Sequence, residues 1–165
     1  MKRRPAALRL IPHGDPPGTL LRRLQEELPR LLPVVVELED PLNLRPGIQV
    51  LDHLLDHVGE DWILALTTLP LVSGTGDRVF GEAVVGGVGA VVSVDALGHG
   101  DDARLRHRVV ACAVHEVGHL AGLDHCADPA CAMYPSRDLA DTDRKGPGMC
   151  AGCAACIRSG ALRRA

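Results

Sequence analysis

Aromatic side chains are almost missing from this chain of 165 residues, where Trp62, Phe80 and Tyr134 are the only three. Its core must be built from Leu, Val and Ala, which dominate a 46% hydrophobic content, and it forgoes the large areas that rings bury. Bound metal is one way to supplement such a core. No apolar run approaches the roughly 18 residues of a membrane-spanning helix. The longest candidate, Ala83 to Val94, is interrupted by glycines and reads as strand, so no membrane partner is expected. Positive charge is not in excess either. A formal net charge of -3 leaves no basic field to attract nucleic acid. Met1-Lys2-Arg3-Arg4 resembles the start of an export signal, but Arg9, His13 and Asp15 break the apolar stretch that should follow. The expectation is a cytoplasmic protein, read as a monomer.

At this length the chain suits one domain, 1–165. A sheet and a functional helix would occupy 1–122, and a C-terminal part would occupy 123–165. Ala6 to Pro12 reads as a strand and Thr19 to Leu32 as a helix with Leu20, Leu21, Leu24, Leu28 and Leu31 on one face. Val34 to Glu39 is a second strand, Ile48 to Val58 a helix and Trp62 to Thr68 a third strand. Leu69 to Asp77 reads as loop, Arg78 to Val85 as strand, Gly86 to Gly89 as a turn and Ala90 to Val94 as strand. Asp101 or Asp102 can cap a helix that runs to about Leu120. Beyond Gly122 the chain reads as loop until a terminal helix, Cys150 to Leu162. This order predicts an α/β fold bordering on α+β. Its twisted, mixed and mainly parallel sheet carries an antiparallel edge strand and is flanked by helices.

The chemistry concentrates in His115-Glu116-Val117-Gly118-His119-Leu120-Ala121-Gly122-Leu123-Asp124-His125. On a helix, His115 and His119 lie one turn apart on the same face, which suits two imidazoles on one zinc. Glu116 projects about 100° away around the axis, beside the metal and free to take a proton from its water. Gly122 can leave the helix in a left-handed conformation. The chain then returns His125 as third ligand and keeps a fourth position open, the pattern of a catalytic zinc. Five fixed residues at this spacing make coincidence a poor explanation.

All six cysteines fall in the last third of the chain. Cys126 and Cys131, with Cys150 and Cys153, form two close pairs separated by a loop, the spacing of a structural four-thiolate zinc site. Free thiols or disulfides are the alternative. Cys112 reads as a small core residue, and Cys156 as surplus or a substitute ligand. His53 and His57 have helical spacing but no following glutamate and no third ligand, so they read as solvated. His13, His99 and His107 read as surface or local hydrogen-bonding residues.

The run from His115 to His125, followed by Cys126, Cys131, Met133, Cys150 and Cys153, resembles the archaemetzincins, a branch of the metzincin metallopeptidases. The match spans the 39 residues from His115 to Cys153. Val79-Phe80-Gly81-Glu82-Ala83 and Val91-Val92-Ser93 are similar to the strands preceding that family's functional helix. The resemblance implies a metzincin-like fold, a catalytic zinc on His115, His119 and His125, and Glu116 as general base. It also implies a second zinc on Cys126, Cys131, Cys150 and Cys153, and Met133 in a turn beneath the first. Tyr134 directly follows the methionine, and no zinc role carries over to it. The substrate implied is a peptide or protein. A zinc-stabilised module that binds peptides or proteins without cleaving them is the rival reading. A zinc-ribbon reader of nucleic acid is weakened by the few aromatics and sparse C-terminal arginines.

Overall fold

The computed structural model describes residues 6–43, 50–55, 61–99 and 102–159. Its first five elements alternate: β1 (Ala6–His13), α1 (Gly18–Leu31), β2 (Val34–Leu38), α2 (Val50–Leu55) and β3 (Trp62–Thr67). Two short strands follow, β4 (Leu71–Val72) and β5 (Arg78–Val79), then β6 (Gly81–Ala83) and β7 (Gly89–Ser93). The C-terminal half is helical, with α3 (Val94–Leu97), α4 (Ala103–Leu120), α5 (Leu139–Arg144) and α6 (Ala151–Ser159).

The main sheet has the order β2-β1-β3-β7-β6. Neighbours are parallel from β2 to β7, and β6 pairs antiparallel with β7 at the edge. Strand alternation divides the core in two. Leu8, Leu10, Leu64, Leu66, Ala90 and Val92 face one side and pack against Leu20, Leu24 and Leu28 of α1 and Val109, Ala113 and Val117 of α4. Ile11, Ile63, Ala65 and Val91 face the other side, against Val50 and Leu54 of α2. Central strands covered on both faces need continuous apolar sequence, which Ile63-Leu64-Ala65-Leu66 and Ala90-Val91-Val92 provide. The mixed, mainly parallel α/β sheet is the expected one.

Several expectations need correction. The strand expected over Arg78 to Val85 is broken at Phe80. Arg78 and Val79 turn away to pair with β4 in a separate two-stranded sheet, while Gly81 to Ala83 stay with β7. Val84 and Val85 leave the sheet in a turn closed by Gly87 N–H donating to Val84 O. The loop expected from Leu69 to Asp77 contains β4, which exists only because β5 diverges to meet it. Val94 belongs to a helix rather than to β7, since the Ser93 hydroxyl accepts from Ala96 N and caps α3. Within the expected loop before Cys150 lies α5, capped by Asp138 accepting from Asp141 N; it is too short and polar to show a periodicity. Asp102 is the cap of α4. The outer parts of the expected helix Ile48 to Val58, including His57, lie outside the described residues, as do residues 160–162 of the terminal helix. Among the described residues, no helix is long and apolar enough to cross a membrane.

Candidate metal centre

Every residue of α4 from Val109 to Leu120 is buried, so the helix carries His115, Glu116 and His119 into the interior. It stops in a Schellman turn. Gly122 N–H donates to His119 O and Leu123 N–H to Gly118 O, with Gly122 at φ +91°, where any other residue would be strained. The turn sends the chain back so that Leu123 O accepts from His119 Nδ1 at 2.7 Å. Two residues later His125 reaches the same place. Its ring centroid lies 5.3 Å from that of His115 and 5.0 Å from that of His119.

His115 Nδ1 donates to Ala132 O at 2.8 Å. A carbonyl oxygen only accepts, so both buried rings carry their proton on Nδ1 and expose a bare lone pair on Nε2. Those two Nε2 atoms face each other across 3.0 Å. Burial holds His115 down to about 3 and also depresses His119, so neither ring takes a proton to bridge the gap. Two converging lone pairs without a proton suit a shared cation. The spacing is close to the roughly 3.3 Å between nitrogens in a tetrahedral site with bonds of about 2.05 Å. One nitrogen from each of His115, His119 and His125 lies within 4.8 Å of the others.

Glu116 is 6% exposed and packs on the sheet edge against Gly81. A Cβ added at Gly81 would come within 2.6 Å of Glu116 Oε1. Burial pushes its carboxyl up to about 8, opposed by the nearby Lys145 charge and reinforced more weakly by that of Glu82. Below the histidines, Met133 is fully buried and its sulfur fills the space left by the absent side chain of Gly118.

The four cysteines form a second cluster, with one sulfur from each of Cys126, Cys131, Cys150 and Cys153 within 4.8 Å of the rest. All are free thiols. Cys126 Sγ and Cys150 Sγ are 3.9 Å apart, twice the disulfide length and near the roughly 3.8 Å edge of a tetrahedron with 2.3 Å zinc–sulfur bonds. Cys131 Sγ accepts from Cys150 N–H at 3.3 Å and Cys150 Sγ from Cys153 N–H at 3.5 Å. The Cys153 N–H is the main cause that lowers the Cys150 thiol to about 7. Cys126 N–H also donates to Met133 O, so the residue after His125 is tied to the turn beneath the histidines.

Cys112 is buried and Cys156 exposed, and neither joins a cluster. His99 is exposed, while His107 Nε2 lies 3.1 Å from Lys145 O. His13 departs from the expectation of a surface or locally bonded residue. It is 8% exposed and pairs through Nδ1 with Thr67 Oγ1, 54 residues away. Sequence reasoning missed Lys145 altogether. This 1% exposed lysine reaches Ala132 O, Tyr134 O and the neighbourhood of His115. It also gave no role to Gly81 or Gly118, whose missing side chains admit Glu116 and Met133.

Residues 16–159 match the model of peptidase family M54. An archaemetzincin of Archaeoglobus fulgidus is 49% identical over 80 residues, which cover 48% of this chain and 49% of that protein. One of Methanopyrus kandleri is 42% identical over 105 residues, covering 63% and 60%. The chain thus spans about half of the first curated relative and 60% of the second. The crystal structure of the Methanopyrus kandleri archaemetzincin superposes with a TM-score of 0.83 at 30% identity, covering 96% of each chain.

Proposed function

The chain belongs to peptidase family M54, the archaemetzincins, and we propose on that footing that it is a zinc-dependent metallopeptidase. His115, His119 and His125 hold its catalytic zinc, and Glu116 is its general base. The observation that carries this reading is the pair of unprotonated Nε2 atoms facing each other at 3.0 Å, each ring locked by a carbonyl on its far side. Zinc held there would supply an activated water and polarise the scissile carbonyl. Glu116 accepts the water's proton and hands it to the leaving nitrogen. Without metal, burial keeps the Glu116 carboxyl protonated up to about 8; a divalent cation at the histidines would draw that value down and free the carboxylate to act as base.

The substrate is a peptide or protein segment lying extended along β6, whose outer edge offers unpaired backbone groups. A second zinc on Cys126, Cys131, Cys150 and Cys153 is structural, because four thiolates leave no position for water. It fastens α6 to the segment that carries His125. We place the protein in the cytoplasm, a reducing compartment in which cysteines at such close spacings serve metal binding rather than disulfides. We read residues 1–165 as one domain acting as a monomer.

Metal analysis beside assays of wild type and Glu116→Gln on a mixed peptide library tests the proposal. Both chains should carry two zinc ions, and only the wild type should cleave, with a loss of at least about 10²-fold in the variant. Undiminished cleavage by Glu116→Gln would remove Glu116 from the mechanism. Wild type that binds zinc and leaves every peptide intact would favour a binding module.

A further inference from the structure

Among the described residues, Lys145 is the only lysine or arginine that is buried. An ammonium taken out of water is strongly disfavoured unless its protons are used, and two of the three are accounted for. Nζ donates to Ala132 O at 3.0 Å and to Tyr134 O at 2.9 Å, the carbonyls on either side of Met133. Nζ also lies 3.5 Å from His115 Nδ1. That nitrogen carries a proton and donates to the same Ala132 O, so ring and ammonium converge on one oxygen and occupy both its lone pairs. The lysine is anchored in turn. Its N–H donates to Asp141 O, and its carbonyl lies 3.1 Å from His107 Nε2, one bond that reaches back to α4.

Filling this space needs only an apolar chain of similar length. What the cation adds is direction, since it draws the carbonyls of residues 132 and 134 to one point and aims the first at His115. We propose that Lys145 is a positioning residue that clamps the turn around Met133, so that Ala132 O fixes the His115 ring with Nε2 toward the metal. The inference rests on the reading of the three histidines as a metal site. Loss of an outer partner of a metal-bound histidine costs about 10- to 100-fold in affinity, and the clamp predicts a loss of that size at one site only.

Cobalt(II) titration against a competing chelator distinguishes the two sites, because thiolate-bound cobalt absorbs strongly in the near ultraviolet and imidazole-bound cobalt does not. Lys145→Met should bind cobalt about 10- to 100-fold more weakly at the histidines with the thiolate site unchanged. Lys145→Arg, which keeps charge and donors, should recover part of the loss. Affinity at the histidines within twofold of wild type in Lys145→Met would overturn the clamp, as would equal losses at both sites. Should Lys145→Met not fold, Lys145→Gln is measured in the same way. Failure of both to fold would make Lys145 a determinant of folding and overturn the proposal. Wild type that binds cobalt only at the thiolates would instead overturn the reading of the histidines.

Discussion

Gly81 on the edge strand and Glu116 on the long helix meet so closely that a Cβ at position 81 would lie 2.6 Å from Glu116 Oε1 and 2.9 Å from its Cγ and Cδ. The contact joins the strand proposed to hold substrate to the proposed general base. Because the overlap involves the stem of the glutamate as well as its tip, the side chain must move as a whole to admit even a methyl group. Gly81→Ala should therefore lower kcat by about 10²-fold, the usual consequence of a displacement near 1 Å, with zinc content unchanged. Steady-state kinetics beside metal analysis checks this, and wild-type kcat would show that the carboxyl is not held by the strand.

Gly118 and Met133 set two effects in opposition. Replacing a helical glycine by alanine ordinarily gains about 1 kcal/mol. Here the new methyl would overlap Met133 Sδ and approach Met149 Cε at 3.1 Å, and overpacking costs about 1–3 kcal/mol. The packing penalty should win, so Gly118→Ala should lower the thermal midpoint by a few degrees. A raised midpoint would mean that the methionine yields freely.

The raised Glu116 carboxyl has a signed consequence for stability when a chelator has freed the histidines of metal. Its value moves from 4.5 to about 8 on folding, so between those pH values the native state holds a proton that the unfolded state has released. This group's contribution falls as pH rises through that window, at about 1.4 kcal/mol per pH unit at most. Glu116→Gln removes it while the histidines, whose burial acts in the opposite direction, are common to both chains. Urea unfolding of the pair should show the variant gaining on wild type by a few kcal/mol from pH 5 to pH 8. A constant difference would contradict the burial.

Cys131→Ser should cost more than the thiolate ion. Cys131 is 1% exposed, and Cys126 of the same cluster is bonded to Met133 O, which places both clusters on one short stretch of backbone. The variant should lose one zinc per chain, lose several kcal/mol of stability and bind the second zinc more weakly because His125 is no longer held. Unchanged affinity at the histidines would show that the clusters are independent.

What the sequence determined alone is what depends on neighbours along the chain. The i, i+4 histidines share a face of any helix, Gly122 opens the turn that brings His125 back, and the leucines of α1 fall on one stripe, because helical geometry repeats every few residues whatever surrounds it. Close cysteine spacings likewise identified a cluster before its shape was known. Tertiary structure decided what joins distant segments: the break at Phe80 that gives β5 and β6 different partners, Gly81 beneath Glu116, His13 against Thr67, and Lys145 beside His115 across 30 residues. None of these leaves a periodic signal. A glycine or a lysine is written the same way whether it faces water or a buried carbonyl, and only the packing of one element on another settles which.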